Sequence, residues 1–98
     1  LPEMDPQLSA VTGIDYTVEN LLELGERVWN LERIWNHKAG FTGKDDALPK
    51  RLTDEPIPDG PTAGQVNRLG EMLPEYYEKR GWTADGEPTQ EKLQSLGL

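Results

Sequence analysis

The longest periodic segment of the chain runs from Val18 to His37 and predicts an α-helix. Its apolar residues alternate between spacings of three and four, which is the repeat of one helical face. That stripe consists of Leu21, Leu24, Val28, Leu31 and Trp35, and it is widened by Leu22, Gly25, Trp29 and Ile34. The polar positions elsewhere are Asn20, Glu23, Arg27, Asn30 and Arg33. So wide a stripe indicates that the helix either forms the core or docks onto a surface outside this chain.

Capping residues predict where this helix and a shorter one before it begin and end. Thr17 offers a side-chain oxygen to the first turn of the long helix. At its other end, Lys38-Ala39-Gly40 supplies a basic residue and a glycine cap. Upstream, the Asp5-Pro6 pair, as N-cap and first helical residue, predicts a short helix that runs through Val11 and ends at Thr12-Gly13.

The segment 41–65 predicts a long irregular crossing loop. It contains Pro56, Pro58 and Pro61 and is punctuated by glycines. One helical turn is predicted near Asp46–Leu52. Because loops of this length are uncommon in an isolated small domain, we expect this one to lie over another surface.

A further helix is predicted from about Gly70 to Arg80, closed by Gly81. Its apolar side consists of Met72, Leu73, Tyr76 and Tyr77. Pro74 is compatible with a helix that starts at Gly70 or later, because first-turn amides lack intrahelical partners.

The last part of the chain predicts a turn and one more short helix. The turn lies at Ala84-Asp85-Gly86, and Thr89 then caps a helix that carries Leu93 and Leu96. No segment shows the alternation of a strand, and no internal repeat occurs. The chain is therefore predicted to be all-α, a small bundle of three to four helices with a long irregular crossing loop, in a single domain over residues 1–98.

Composition and charge narrow the classes of partner. A net charge of −8 repels phosphate backbones and disfavours nucleic-acid binding. No apolar run approaches the roughly 18–20 residues of a membrane span, and the first ten residues lack the pattern of a signal peptide. We therefore expect a cytoplasmic protein. Because the chain opens at Leu1 rather than at Met, we also expect it to be cut from a longer polypeptide, with ordinary processing of a small protein as the alternative. The tail Leu93–Leu98 is typical of a natural end, so we expect a genuine C-terminus.

The chain offers little catalytic chemistry of its own. It contains no cysteine, so it has no thiolate metal ligand. The only histidine, His37, has a ready explanation in the dipole of the helix that it ends. Gly40–Asp45 superficially resembles a phosphate loop, but only two residues separate its glycines, and Asp follows Lys44 where Ser or Thr is needed. We expect a helix-ending loop there.

The carboxylate pairs and the aromatic residues also have structural explanations. Asp45-Asp46 and Asp54-Glu55 are adjacent pairs rather than the ladder of a calcium loop, and we expect them to be solvated loop charges. Acid–base work by such a pair would require a cleft. The residues that could form an aromatic ligand cage are expected in core or interdomain packing: Trp29, Trp35, Tyr76, Tyr77 and Trp82. We therefore assign no catalytic, cofactor-binding or metal-ligating residue within 1–98.

Several short motifs stand in a recognisable order along the chain. They are Gly25–Arg33 with Asn36, then Gly40-Phe41, Asp45-Asp46 and Leu48–Arg51, then Met72-Leu73, Tyr76-Tyr77 and Arg80–Trp82, and finally Pro88, Lys92-Leu93 and Leu96–Leu98. From about Val11 onward this order resembles the C-terminal domain of the tungsten-containing aldehyde ferredoxin oxidoreductase family. Gly70 and Pro74 depart from the family pattern, in which an acidic residue is expected.

The resemblance implies a parent enzyme that oxidises aldehydes to carboxylates and passes the electrons to ferredoxin. It also implies tungsten, or molybdenum, held by two pterin dithiolenes of the molybdopterin type beside a [4Fe–4S] iron-sulfur cluster. The family binds that cluster through a Cys-x-x-Cys-x-x-x-Cys run and one later Cys, and its pterins through Asp-x-x-Gly-Leu-Cys-type motifs. Neither motif occurs here. We therefore expect these cofactors upstream of Leu1 and no cofactor in this fragment.

The resemblance leaves the fragment a structural role. The apolar stripe of Val18–His37 would pack against upstream domains of the same polypeptide, and the later segments would cover the outside. Arg33 and Arg80 either reach pterin phosphates, because a guanidinium suits that anion, or form surface or packing salt bridges. Without the resemblance, the sequence is also compatible with an alternative to an enzyme fragment, namely a free-standing acidic all-α protein-interaction module.

Overall fold

Five α-helices and one 3-10 turn make up the secondary structure of the computed structural model, which describes residues 1–98. They are α1 (Asp5–Thr12), α2 (Val18–Lys38), the 3-10 turn (Gly43–Asp45), α3 (Lys50–Asp54), α4 (Leu69–Arg80) and α5 (Gln90–Ser95). No strand forms, which confirms the all-α prediction, although the helices number five rather than three to four. None of the helices is long and apolar enough to cross a membrane.

Local side-chain and backbone caps define α2, as predicted. The Thr17 hydroxyl accepts from the Asn20 amide at 3.2 Å, and the Asn20 side chain accepts from the Thr17 amide at 2.8 Å. At the other end, the Phe41 amide donates to the Asn36 carbonyl at 3.0 Å across Gly40, whose φ is 102°. This left-handed glycine satisfies carbonyls that a helix end would otherwise leave free.

Two helix starts differ from the prediction by about one residue. Asp5 is the first residue of α1 rather than its cap, because Met4 is already helical and its amide donates to the Leu1 carbonyl at 2.8 Å. α4 begins at Leu69, so Pro74 lies inside the helix rather than in its first turn. Its missing N–H leaves the carbonyl of Gly70 without an intrahelical donor, and because Gly70 is exposed, water can take that place.

The crossing loop contains two helical turns instead of one near Asp46–Leu52. The first is the 3-10 turn, in which the Asp45 carboxylate accepts from the Thr42 amide at 2.8 Å. The second is α3, which begins after Pro49. Proline disfavours helical backbone at the residue before it, which is Leu48, so the predicted turn cannot run through this point.

The C-terminal segment folds as predicted. The Gly86 amide donates to the Thr83 carbonyl at 2.8 Å and closes the expected turn, and one antiparallel bridge joins Trp82 to Pro88. The Thr89 hydroxyl then accepts from the Lys92 amide at 3.2 Å and caps α5. This arrangement brings the end of α5 to α2, where Arg27 Nε donates to the Leu96 carbonyl at 2.9 Å.

The buried residues are few, and they lie where α2 meets the C-terminal segment. Six of the 98 residues are buried: Asn30, Tyr77, Trp82, Gly86, Pro88 and Leu96. The radius of gyration is 18.0 Å, whereas a compact domain of this length has about 13 Å. The chain is therefore extended, with one small core.

The apolar stripe of α2 does not form that core. Leu24, Val28, Leu31 and Trp35, here called the outward face, are all exposed. The side of α2 that faces the C-terminal segment carries polar residues instead: Glu26, Asn30 and Arg33. The first of the two predicted roles, in which the apolar stripe of α2 forms the core, is thus wrong. The inward-facing positions are held by Glu26, Asn30 and Arg33, whose partners lie on α4, α5 and the C-terminal segment.

Candidate functional site

A partly buried ion pair joins α2 to the crossing loop. Arg33 Nη1 donates to Asp46 Oδ1 at 2.8 Å, and Arg33 Nη2 pairs with Asp46 Oδ2. The Tyr77 hydroxyl, from α4, donates to the same carboxylate. Arg33 Nε donates to the Gly86 carbonyl at 2.7 Å. These groups, here called the Arg33 cluster, tie four segments of the chain together.

Aromatic rings cover the Arg33 cluster. The Arg33 guanidinium carbon lies 4.9 Å from the ring centroid of Trp82 and 5.8 Å from that of Tyr77, within cation–π range. Trp82 Nε1 donates to Asn30 Oδ1 at 2.8 Å, and Asn30 Nδ2 donates to the Glu26 carbonyl at 2.8 Å. Asn30 is 0% exposed, and its amide is satisfied on both sides.

A second ion cluster lies about two turns earlier on α2, at Glu26. The Glu26 carboxylate pairs with Arg80 of α4 and, at 3.2 Å, with Lys92 Nζ of α5. The Arg80 guanidinium carbon lies 5.7 Å from the Trp29 ring centroid and 5.3 Å from that of Tyr76. Trp29 Nε1 donates to the Tyr76 hydroxyl at 3.0 Å. Glu26 thus connects α2 to both later helices.

The protonation of these groups follows from their partners. The hydrogen bond from Arg33 outweighs burial and holds the pKa of Asp46 below its usual range. Burial opposes ionisation of Glu26, but the Lys92 hydrogen bond and the charges of Arg80 and Lys92 outweigh it, so its pKa is also lowered. The pKa of Tyr77 is raised to about 12, mainly by burial of the hydroxyl and secondly by its hydrogen bond to Asp46.

These pKa directions bear on what the groups can do chemically. A carboxylate that acts as a general acid near neutral pH needs a raised pKa, whereas both Asp46 and Glu26 have lowered values. A cleft of about 440 Å³ opens beside Asp46, lined in part by Trp29, Leu73 and Tyr76. No group of three or more His, Cys, Asp or Glu side chains is placed to hold a metal ion. The arrangement fits permanently charged structural pairs.

The polar candidate residues from the sequence are His37, Gly40–Asp45, Asp46 and Asp54-Glu55. His37 lies in the last turn of α2, and its Nε2 is buried without a hydrogen-bond partner. The loop that ends α2 begins at Gly40, as predicted, but its residues Gly43–Asp45 form the 3-10 turn. Asp54-Glu55 is exposed. The prediction for Asp46 is wrong, because Asp46 is the partner of Arg33 rather than a solvated loop charge.

The aromatic candidates separate into two groups. Tyr77 and Trp82 are buried, as core packing requires. Trp29, Trp35 and Tyr76 remain exposed to different degrees. Sequence reasoning allowed salt bridges at Arg33 and Arg80 but missed their partners and the packed side of α2. Yet Glu26, Asn30, Arg33 and His37 follow spacings of four, three and four. That polar stripe has the same helical repeat as the apolar one and could have indicated a second packed face.

Comparison with known proteins gives the family. The model of aldehyde ferredoxin oxidoreductase, domains 2 & 3, matches residues 1–98. The chain is 55% identical over 92 residues to a tungsten-containing aldehyde ferredoxin oxidoreductase of Pyrococcus abyssi and 53% identical to one of Pyrococcus furiosus; both matches cover 93% of this chain. It is also 35% identical over 99 residues to an aliphatic sulfonate oxidoreductase, WOR-like subunit, of Pyrococcus furiosus, across 92% of this chain and 16% of that protein.

The extent of these matches differs greatly between the chain and its relatives. The chain spans 15% of the length of the two aldehyde ferredoxin oxidoreductases. The family model, by contrast, covers the chain from end to end. On that match and on the identity to the relatives, the chain belongs to the aldehyde ferredoxin oxidoreductase family.

Proposed function

We propose that this chain is a single helical, C-terminal structural domain of a tungsten-dependent enzyme that oxidises aldehydes to carboxylates. The observation that carries the proposal is the identity of 53–55% to tungsten-containing aldehyde ferredoxin oxidoreductases over nearly the whole chain. The reaction consumes one aldehyde and one water and yields a carboxylate, three protons and two electrons. Ferredoxin would take up those electrons.

The residues of this chain do not fit the cofactors of such an enzyme. An iron-sulfur cluster is held by thiolates, and the chain has no cysteine. Arg33 and Arg80 have the charge to meet a pterin phosphate, but each is committed to a carboxylate within the chain. We therefore propose that both arginines stabilise packing, and that the tungsten (or molybdenum) bis-pterin and the [4Fe–4S] cluster are held by the remainder of the polypeptide.

The domain would then contribute a rigid unit rather than reacting groups. The Arg33 cluster and the Glu26 pairs fix α2 against α4, α5 and the C-terminal turn. Such a unit would hold its outer surfaces in a constant orientation toward the rest of the enzyme. A free-standing interaction module is the weaker candidate, because its large exposed apolar surface would favour aggregation. We propose a cytoplasmic location on the basis of the sequence alone.

An activity assay tests the proposal. The polypeptide that contains this chain, purified as its gene encodes it and here called the intact polypeptide, is produced without oxygen in medium with tungstate, or with molybdate as the comparison. Aldehyde-dependent reduction of ferredoxin or of a viologen dye is expected from the tungstate preparation. An aliphatic sulfonate is the matched second substrate, because one relative is named for that class. Reduction with the sulfonate and none with any aldehyde would overturn the proposed substrate class.

A further inference from the structure

Two aspartates of the chain are followed directly by glycine, at Asp59-Gly60 and Asp85-Gly86. Such a pair can rearrange without an enzyme, because no side chain on the glycine hinders its amide. The glycine amide nitrogen attacks the carboxyl carbon of the aspartate, a C–N bond forms and water leaves, which closes a five-membered succinimide. Water then opens the ring at either carbonyl and gives aspartate or isoaspartate. The reaction consumes no oxidant, reductant or cofactor.

The first pair lies at the tip of an exposed loop, where the structure does not hinder this reaction. Every residue from 54 to 65 is exposed. The ends of the tip are joined by the Ile57 amide, which donates to the Gln65 carbonyl at 3.0 Å, but the Gly60 amide donates no hydrogen bond. Apart from its chain neighbours, no atom lies within 4 Å of the position that a Cβ on Gly60 would occupy. The Gly60 amide can therefore turn toward the Asp59 carboxyl without displacing a packed group.

The second pair is held in the C-terminal turn. Asp85 is exposed like Asp59, but Gly86 is buried. The Gly86 amide donates to the Thr83 carbonyl at 2.8 Å, and the Gly86 carbonyl accepts from Arg33 Nε at 2.7 Å. Before the Gly86 amide can reach the Asp85 carboxyl, this turn must open and both hydrogen bonds must break. Only the small opened fraction of molecules can then react.

We propose that Asp59-Gly60 is a site of spontaneous isoaspartate formation in the folded protein, whereas the Arg33 cluster protects Asp85-Gly86. The two pairs have the same chemistry, so the difference arises from the structure around the glycines. An isoaspartate inserts one additional carbon into the backbone, and an exposed loop tip tolerates such a change. At residue 85 the same insertion would move the Gly86 carbonyl away from Arg33. The proposal is independent of the reaction that the intact polypeptide catalyses.

Ageing of the intact polypeptide in neutral buffer tests the proposal, with the same polypeptide unfolded in urea as the reference. A protein-isoaspartate methyltransferase with labelled S-adenosylmethionine counts the isoaspartyl groups. Fragmentation by electron transfer then locates them, because isoaspartate and aspartate have the same mass but break differently. In the folded protein, residue 59 should react at nearly its urea rate, and residue 85 roughly tenfold or more below its own urea rate. Equal rates at the two residues, or a residue 59 that reacts only in urea, would overturn the proposal.

Two substitutions at residue 59 change the chemistry and leave the C-terminal turn untouched. Asp59→Glu should abolish the signal at residue 59, because its ring would need six members and closes far more slowly. Asp59→Asn should speed the reaction, because ammonia leaves more readily than water does from a carboxylate. Neither variant should alter the rate at residue 85. A signal that survives Asp59→Glu unchanged would show that the modified residue lies elsewhere.

A change at Arg33 tests the protection of the second pair. Lysine keeps the positive charge but has no Nε–H group to donate to the Gly86 carbonyl. Arg33→Lys should therefore raise the rate at residue 85 by roughly tenfold and leave the rate at residue 59 unchanged. An unchanged rate at residue 85 would show that the Arg33 cluster does not protect it. If this variant does not fold, the comparison of the two pairs within the original sequence still decides the proposal.

Discussion

Replacing Asp46 with asparagine tests the Arg33 cluster with a minimal change of shape. The carboxylate accepts from Arg33 at 2.8 Å through Oδ1, and its Oδ2 accepts from both Arg33 and Tyr77. Asparagine keeps one oxygen as an acceptor but removes the charge and turns an NH₂ group toward the Arg33 donors. Asp46→Asn therefore weakens all three hydrogen bonds in this small core.

The expected loss of stability follows from the burial of the pair. Side-chain exposure is 15% for Arg33 and 26% for Asp46, so solvent screens their attraction only in part. Hydrogen bonds to charged groups contribute about 1.5–3 kcal/mol each. Since asparagine retains part of the network, we expect Asp46→Asn to lower the free energy of unfolding by about 2 kcal/mol, which is a Tm lower by about 10 °C for a domain of this size.

Urea unfolding followed by tryptophan fluorescence measures this loss, with Asp59→Asn as the control. Asp59 is exposed and takes part in no ion pair, so its substitution should change stability by less than about 0.5 kcal/mol. The lowered pKa of Asp46 adds a test by pH. Its contribution is complete above the unfolded value of about 4 and is lost as pH falls through the lower folded value. If Asp46→Asn and Asp59→Asn behave alike, or Asp46→Asn keeps the full acid dependence, the reasoning is refuted.

The other predictions concern the same core. Gly86→Ala should lower the free energy of unfolding by about 3 kcal/mol, because the added Cβ would meet the Arg33 side chain and lie 2.9 Å from a Tyr77 ring carbon. Gly64 has a similar positive φ but open space around it, so Gly64→Ala should lower it by only about 1 kcal/mol. Equal losses for the two variants would show that crowding at Gly86 is unimportant. The pKa of Tyr77 is about 12 in the folded protein and about 10 in the unfolded chain, so the protonated hydroxyl stabilises the fold below pH 10. The free energy of unfolding should therefore fall between pH 10 and about 12 in the wild type but not in Tyr77→Phe. A flat wild-type profile over this range would contradict the prediction. Trp82→Phe should lower the free energy of unfolding by about 2 kcal/mol through its lost N–H donor, and a neutral result would deny the hydrogen bond a role.

The helix ends could be predicted from the sequence because they depend on neighbouring residues. The Thr17 cap and the glycines at 13, 40 and 81 act within one turn, and all are found where the sequence predicts them. The misplaced helical turn in the crossing loop has an equally local cause, since Pro49 follows Leu48. Reasoning from capping and proline is therefore reliable over a few residues.

The packed face of α2 could not be predicted in the same way. Apolar periodicity shows which side of a helix avoids water, but it does not show whether this chain or another body covers that side. Arg33 finds its partners 13 and 53 residues away, at Asp46 and Gly86, and no local rule connects them. The polar stripe on α2 was visible, yet its partners on α4 and α5 were not.

Metal analysis tests the central claim most directly, namely that this chain is a domain of a tungsten aldehyde oxidoreductase and holds none of its cofactors. The intact polypeptide and the isolated 98-residue chain are each purified from cells grown with tungstate and iron, and both metals are measured by mass spectrometry. We predict tungsten and about four iron atoms in each intact polypeptide, and neither metal on the isolated chain. Tungsten or iron bound in stoichiometric amounts by the isolated chain, or an intact polypeptide that contains neither metal, would contradict the claim.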